Sequence, residues 1–94
     1  MEAKRIDVDI ICKHLINGTI IPLKVRALGD DGTPKVFNII SYTDLSGNGT
    51  YTTSDGVYVT DETLFFECRI EVNGSMRGVR LYYRENQRNW FMTI

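Results

Sequence analysis

The stretch TLFFECRIEVNGSMRGVRLYYRENQRNWFMTI, residues 63–94, alternates apolar and polar side chains on both sides of an Asn-Gly pair. Asn-Gly between alternating runs is a strong hairpin signal, because both central residues of a type I′ turn need positive φ. A second turn over Glu85–Arg88 would add one more strand. The stretch therefore predicts a three-stranded antiparallel meander.

The two turns also fix which side chains share a face of this meander. One face is apolar or aromatic, with the rows Leu64, Tyr83 and Trp90; Phe66, Leu81 and Met92; and Cys68, Val79 and Ile94. The other face has the rows Thr63, Arg84 and Asn89; Phe65, Tyr82 and Phe91; and Glu67, Arg80 and Thr93. Because two independent turns give one burial pattern, we expect the first face to be the core.

The N-terminal part of the chain shows the same period-two alternation. RIDVDIICKH (5–14) and TIIPLKVRAL (19–28) flank a second Asn-Gly pair at residues 17–18, which predicts another hairpin. A two-residue turn there places Ile16 opposite Thr19, and the pairs that follow are Cys12 with Leu23, Ile10 with Val25, and Asp9 with Arg26. Pro22 cannot donate to a ladder, so we expect it at an edge or a bulge.

No segment has sustained helical periodicity, and the predicted fold class is all-β. A further strand over 35–42, a short one near 57–60 and the two hairpin regions give six or seven strands. We expect one domain over 1–94, folded as a small, partly open antiparallel barrel of the SH3-like or OB-like kind. Residues 44–60 hold three of the eight glycines and are expected to form a mobile loop.

Composition is that of a folded globular protein, with 43% apolar and 24% charged residues. Asp7 and Asp9 interrupt what would be the apolar centre of a signal peptide, and no run is long enough to span a membrane. The two cysteines are expected to be reduced. These features predict a cytoplasmic protein with no membrane partner.

The inventory of reactive side chains is thin. Cys12 and His14, the one histidine, share a face of their strand, and Cys68 could approach them in a barrel. Structural zinc normally takes four ligands, and no CxxC spacing is present. We therefore expect no metal, no cofactor and no catalytic residue, which favours a non-enzymatic protein.

The aromatic row of Phe65, Tyr82 and Phe91 is predicted to lie on the side away from the core. Contiguous apolar surface of this kind marks an interface, a ligand groove or a surface covered by the chain itself. Three interpretations follow: residues 44–60 fold over the row; a second copy or another protein covers it; or single-stranded nucleic acid stacks on it.

Arginines surround the row in this prediction. Residues 69–94 carry five arginines against two glutamates, whereas residues 1–68 carry six basic and ten acidic side chains. Arg80 and Arg84 would lie at the rim of a protein interface, and Arg84, Arg88 and Arg69 would contact phosphates in the nucleic-acid alternative. The favoured hypothesis is a protein-interaction module, either a homo-oligomer or one with an unidentified protein partner.

Several segments together resemble a family of small bacterial all-β proteins that has no assigned activity. They are IDVDIICKH with its turn and IIPLKV, then KVFNI, then CRI followed by a glycine turn, LYYRE and the closing WF. The resemblance covers most of the chain except residues 44–60. It implies an all-β bacterial cytoplasmic domain and no particular site residues.

Overall fold

A computed structural model describes residues 4–29, 31–84 and 87–94. These residues form eight β-strands: β1 (Arg5–His14), β2 (Ile20–Leu28), β3 (Pro34–Asp44), β4 (Tyr51–Thr52), β5 (Tyr58–Val59), β6 (Thr63–Val72), β7 (Ser75–Arg84) and β8 (Asn89–Thr93). The described ranges contain no helix, and so none that could cross a membrane.

Six of the strands form a closed antiparallel barrel in the order β1-β2-β3-β6-β7-β8, while β4 and β5 make a separate two-stranded sheet. The predicted all-β class, the small barrel and the C-terminal meander are confirmed. Pairing of Arg5 with Thr93 and of Val8 with Trp90 joins β1 to β8 and closes the ring. These partners lie at opposite ends of the chain, and local sequence signals do not report such pairing.

Both predicted turns of the meander have the expected register. Asn73 and Gly74 take φ values of 51° and 80° between the paired residues Val72 and Ser75. Arg84 pairs with Asn89 across the next turn, of which residues 85 and 86 lie outside the described ranges. All three outer rows are found as predicted, including Phe65–Tyr82–Phe91.

The β1-β2 hairpin differs from the prediction next to its turn. His14 pairs with Ile20 and Cys12 with Pro22, one residue away from the expected partner Leu23. Gly18 at φ 88° makes this a three-residue turn of the kind that ends in a left-handed glycine. A bulge between Ile11 and Cys12 then restores the predicted pairs of Ile10 with Val25 and Asp9 with Arg26.

The bulge changes which β2 side chains face inward. Pro22 is buried beside the irregularity, as expected for a residue that cannot donate to the ladder, whereas Leu23 is 42% exposed. The prediction that Leu23 faces the core is therefore wrong. Val25 is fully buried, so the predicted pattern holds beyond the bulge.

The barrel interior is the main hydrophobic core. Its buried members come from five of the six barrel strands: Val8, Val25, Phe66, Cys68, Ile70, Val79, Leu81 and Met92. A second, separate cluster contains Val57, Val59, Phe65, Tyr82 and Phe91 and lies on the outside of the meander. The candidate functional site is built around this second cluster.

Candidate functional site

The aromatic row lies on the outer face of the meander and is continuously stacked. The Phe65 and Tyr82 rings have centroids 4.6 Å apart at an interplanar angle of 16°, and the Tyr82 and Phe91 rings are 5.1 Å apart at 15°. Each residue is the direct cross-strand partner of the next, which brings same-face side chains into contact. The row is therefore one apolar strip across three strands.

This strip is covered by the segment that joins β3 to β6, residues 45–62, which we call the arm. Val57 and Val59 of the arm are buried at 0% and 3% exposure against the strip, and Leu45 packs on the same cluster. Phe65, Tyr82 and Phe91 are themselves at most 3% exposed. Of the three interpretations of the row, coverage by the chain itself is the one found. These three side chains are therefore not accessible to a partner.

The arm covers the strip because it is a β-hairpin with alternating side chains. Val57 and Val59 point inward, while Tyr58 between them is 57% exposed. The short strand expected near 57–60 is present as β5, paired with β4 through Tyr51–Val59 and Thr52–Tyr58. Among the larger side chains of the arm, Val57 covers the row, whereas Tyr51 and Tyr58 are 39% and 57% exposed.

One carboxylate fastens the arm to the meander. Asp55, in the turn of the arm, accepts hydrogen bonds from the Tyr82 hydroxyl at 2.8 Å, the Thr93 hydroxyl at 2.6 Å and Arg80 Nη1 at 2.9 Å. The Thr53 hydroxyl donates to the same carboxylate from within the arm. We call these five residues the Asp55 cluster; the Asp55 side chain in it is 10% exposed.

The cluster holds Asp55 ionised. Burial raises the pKa of this carboxyl, but hydrogen bonds from Thr53, Thr93, Tyr82 and Arg80 outweigh burial and lower the pKa to about 2. Burial, together with the hydrogen bond and the charge of Asp55, raises the pKa of Tyr82 to about 12. At neutral pH Asp55 is therefore an ionised carboxylate that accepts a hydrogen bond, and Tyr82 is a neutral phenol that donates it.

Asp55 is not singled out in the sequence analysis. The missed signal is the hydroxyl of Tyr82. A tyrosine that lies in a covered apolar row needs a hydrogen-bond partner, and an acidic residue two positions before an inward-facing valine is well placed to supply one. That inference requires knowing that residues 45–62 cover the row.

The candidate arginines divide between internal and external positions. Arg80 contacts Asp55, Ser54 and Glu67, and its guanidinium lies 5.8 Å from the Phe65 ring centre. Arg84 donates to the Tyr58 carbonyl at 3.3 Å and lies over the Phe91 ring. Both therefore secure the arm and its strip, whereas Arg88 is exposed at a left-handed φ of 52° in the turn before β8.

An open groove of about 660 Å³ lies beside the arm on the same outer face. Its lining includes Asp55 and Arg80 at the arm side and Ser41, Arg69 and Gly78 farther along the sheet. Gly78 pairs with Arg69, and no atom lies within 4 Å of where a Gly78 Cβ would be. The missing side chain keeps the floor of the groove open.

The cysteines and the histidine do not assemble into a metal site. Cys12 Sγ lies 3.5 Å from His14 Nε2, but Cys68 belongs to the barrel core. The described residues contain no group of three or more potential ligands that could hold a metal ion. Burial raises the pKa of Cys12, and burial followed by the nearby Glu67 charge raises that of Cys68 to about 12. Both thiols are therefore poor nucleophiles at neutral pH.

Comparison with known proteins adds no assignment to this geometry. No family model, curated protein or solved structure gives a significant match to the chain. The resemblance to a bacterial family and the absence of catalytic activity stay predictions. The arm, the groove and the strand edges around them are therefore the features from which function can be inferred.

Proposed function

We propose that this protein is a non-enzymatic binding module that captures an extended, acidic protein segment at the outer edge of β7. The carrying observation is that residues 75–79 of β7 pair with β6 on one side and, among described residues, with nothing on the other. Strand addition to such an edge is a common mode of peptide recognition.

Period-two alternation identifies which backbone groups of β7 face this edge. The Arg84 carbonyl accepts from the Arg88 amide at 2.8 Å, so the backbone of Arg84 points toward β8. β7 contains no irregularity in its pairing, so the N–H and C=O of every second residue back to Gly78 and Met76 point the same way. Thr93 is the last β8 residue paired with β7, opposite Arg80. Gly78 and Met76 can therefore accept a new strand.

The surroundings of this edge favour an acidic occupant. Arg77 is exposed on the edge segment, and Arg69 is exposed in the adjoining groove; neither forms an ion pair with a described residue. Carboxylates at alternate positions of a partner strand share one face, so they would meet one of these two charges, Arg69 on the outer face or Arg77 on the inner one. Electrostatic complementarity of this kind contributes mainly specificity and association rate.

The same charges disfavour self-association through this edge. Residues 75–79 carry Arg77 and no acidic side chain, so pairing of two β7 edges would bring like charges together. The nucleic-acid alternative loses its main support as well, because stacking needs an open aromatic face and the row is covered. We therefore propose that the partner is a different protein.

A synthetic peptide that alternates glutamate and valine is the probe, and its lysine-valine counterpart is the matched control. We expect the acidic peptide to shift the backbone amide NMR signals of Met76 and Gly78 and to slow their hydrogen exchange. The lysine peptide should bind about tenfold more weakly or not at all. Signals of the arm should stay unchanged.

Two variants at one position separate backbone pairing from shape. Gly78→Pro removes the edge N–H and should weaken peptide binding about fivefold to tenfold, as expected for one lost hydrogen bond. Gly78→Ala keeps the N–H and adds a methyl group in open space, so its affinity should equal that of the wild type. Equal binding by both variants, peptide-induced shifts confined to the arm, or a concentration-dependent dimer through β7 would refute the proposal.

We also propose that the module works in the cytoplasm, on the ground that Cys12 and Cys68 are both free thiols.

A further inference from the structure

A second cavity lies at the other side of the molecule from the β7 edge, at one mouth of the barrel. It has a volume of about 470 Å³ and is lined where β1 ends and where β2, β6 and β8 begin. Mouths of β-barrels are frequent sites for small ligands. The proposed capture of a peptide does not use this cavity.

Aromatic rings form one wall. Tyr83 and Trp90 are direct cross-strand partners whose ring centroids lie 5.0 Å apart at an angle of 39°. Both side chains are half-buried and line the cavity, so part of each ring is accessible to a ligand. Ring faces carry negative electrostatic potential and attract cations.

The charge of the lining also favours a cation. Glu62 is the one acidic residue among the described residues that line the cavity, and no lysine or arginine is among them. Glu62 forms no ion pair with a described residue, and its backbone amide donates to the Thr60 hydroxyl at 3.2 Å, which fixes the local chain. The cavity thus combines aromatic surface with one uncompensated negative charge.

We infer that this cavity binds a small organic ammonium cation, with the alkylated nitrogen against Tyr83 and Trp90 and its charge balanced by Glu62. An ammonium carrying methyl groups suits the site better than a bare one, because Leu64 and Ile20 supply apolar lining that methyl groups can cover. Cys12 and His14 complete the rim.

Choline is the probe, and its uncharged carbon isostere, with a tert-butyl group in place of trimethylammonium, is the control ligand. Trp90 is the sole tryptophan, so its fluorescence reports directly on the cavity. Calorimetry on the same samples supplies an independent affinity. We expect saturable binding of choline, about tenfold tighter than that of the isostere, which is the preference that cation–π attraction and one carboxylate provide.

Glu62→Gln and Glu71→Gln form the matched pair of variants. Glu62 is exposed, so its replacement should leave the fold intact, and it should weaken choline binding several-fold. Glu71, also exposed but at the far end of β6, should change nothing. Equal affinity for choline and its isostere, an unaffected Glu62→Gln variant, or the absence of any saturable signal would each overturn the inference, whatever happens at the β7 edge.

Discussion

Asp55 holds the arm against the barrel through hydrogen bonds from Arg80, Tyr82 and Thr93. A carboxylate that receives four side-chain hydrogen-bond donors is stabilised mainly in its ionised form, which is why its pKa falls. The ordinary value of 3.8 applies to the unfolded chain and the value of about 2 to the folded one. This difference is worth on the order of 2 kcal/mol of folding free energy.

The stabilisation from Asp55 should be fully present above about pH 4 and should be lost as the pH falls toward 2, because protonation removes the charged acceptor. Asp55→Asn should lower the free energy of unfolding at pH 7 by about 2 kcal/mol and flatten its dependence on pH in that window. Urea unfolding curves recorded from pH 2 to 7 provide the measurement. Asp7→Asn, at an exposed site, is the control and should shift neither quantity; an Asp55→Asn variant as stable as wild type would argue against the fastening role.

At the residue scale, sequence predicted partners well wherever a turn could be counted correctly. The pairs of Leu64 with Tyr83 and of Tyr83 with Trp90 follow from turn length alone. Leu23 was misplaced because one extra residue in the first turn changes the register, and a bulge compensates farther along. Neither effect has a distinct local signature in an Asn-Gly pair.

The arm is the element whose behaviour matters most for the outer face. Its buried contacts are few and apolar, and it is tied to the meander by the Asp55 cluster and by Leu45, whose amide donates to the Phe65 carbonyl at 2.8 Å. An element that makes few buried contacts can open locally while the rest of the protein stays folded. The aromatic strip would then be transiently exposed.

Val57→Ala tests how firmly the arm is seated. Removal of two methyl groups from a fully buried position should destabilise the arm by about 2 kcal/mol. Relative to the wild type, we expect amide hydrogen exchange to become faster in the arm and to change less in the barrel strands. Tyr58→Ala, at the neighbouring outward position, should leave exchange nearly unchanged. Uniform acceleration across all strands would show instead that the arm and the barrel open as one unit.

Sequence predicted a glycine-rich segment at 44–60 and gave coverage of the aromatic row as one of three interpretations, but it did not decide among them. Turn residues such as Gly47, Gly49 and Gly56, all at positive φ, announce where a chain reverses. They do not say which face the resulting hairpin covers. That choice is set by the packing of Val57 and Val59 on the strip and by the hydrogen bond from Tyr82 to Asp55, which lies 27 positions away in the chain.

At the scale of the whole molecule, the protein has two hydrophobic cores. The barrel interior is the main one, and the strip is a second, separate cluster. Cys68 lies in the barrel core at 2% exposure, and burial keeps its thiol protonated. Its reaction with a thiol reagent therefore requires opening of the barrel itself. This makes Cys68 a reporter of global stability that is separate from the arm.

In a Cys12→Ser background, Cys68 should be labelled at the rate of global unfolding, and Val57→Ala should accelerate that labelling less than it accelerates exchange in the arm. Labelling by a disulfide reagent, followed by mass spectrometry, measures the rate. Cys12 in the wild-type protein, which is only partly buried, should react faster and provides the internal comparison. Labelling of Cys68 in step with arm opening would contradict the separation of the two cores.

Closure of the barrel by β1 and β8 has a consequence for the order in which the fold is assembled. Val72 and Ser75 meet across a two-residue turn, whereas Arg5 and Thr93 can meet only after nearly the whole chain has been organised. Loop-closure entropy makes the second encounter costlier by roughly 3 kcal/mol, since each doubling of loop length adds about 0.6 kcal/mol. The meander is thus the natural nucleus, and the seam between the first and last strands is the natural last step.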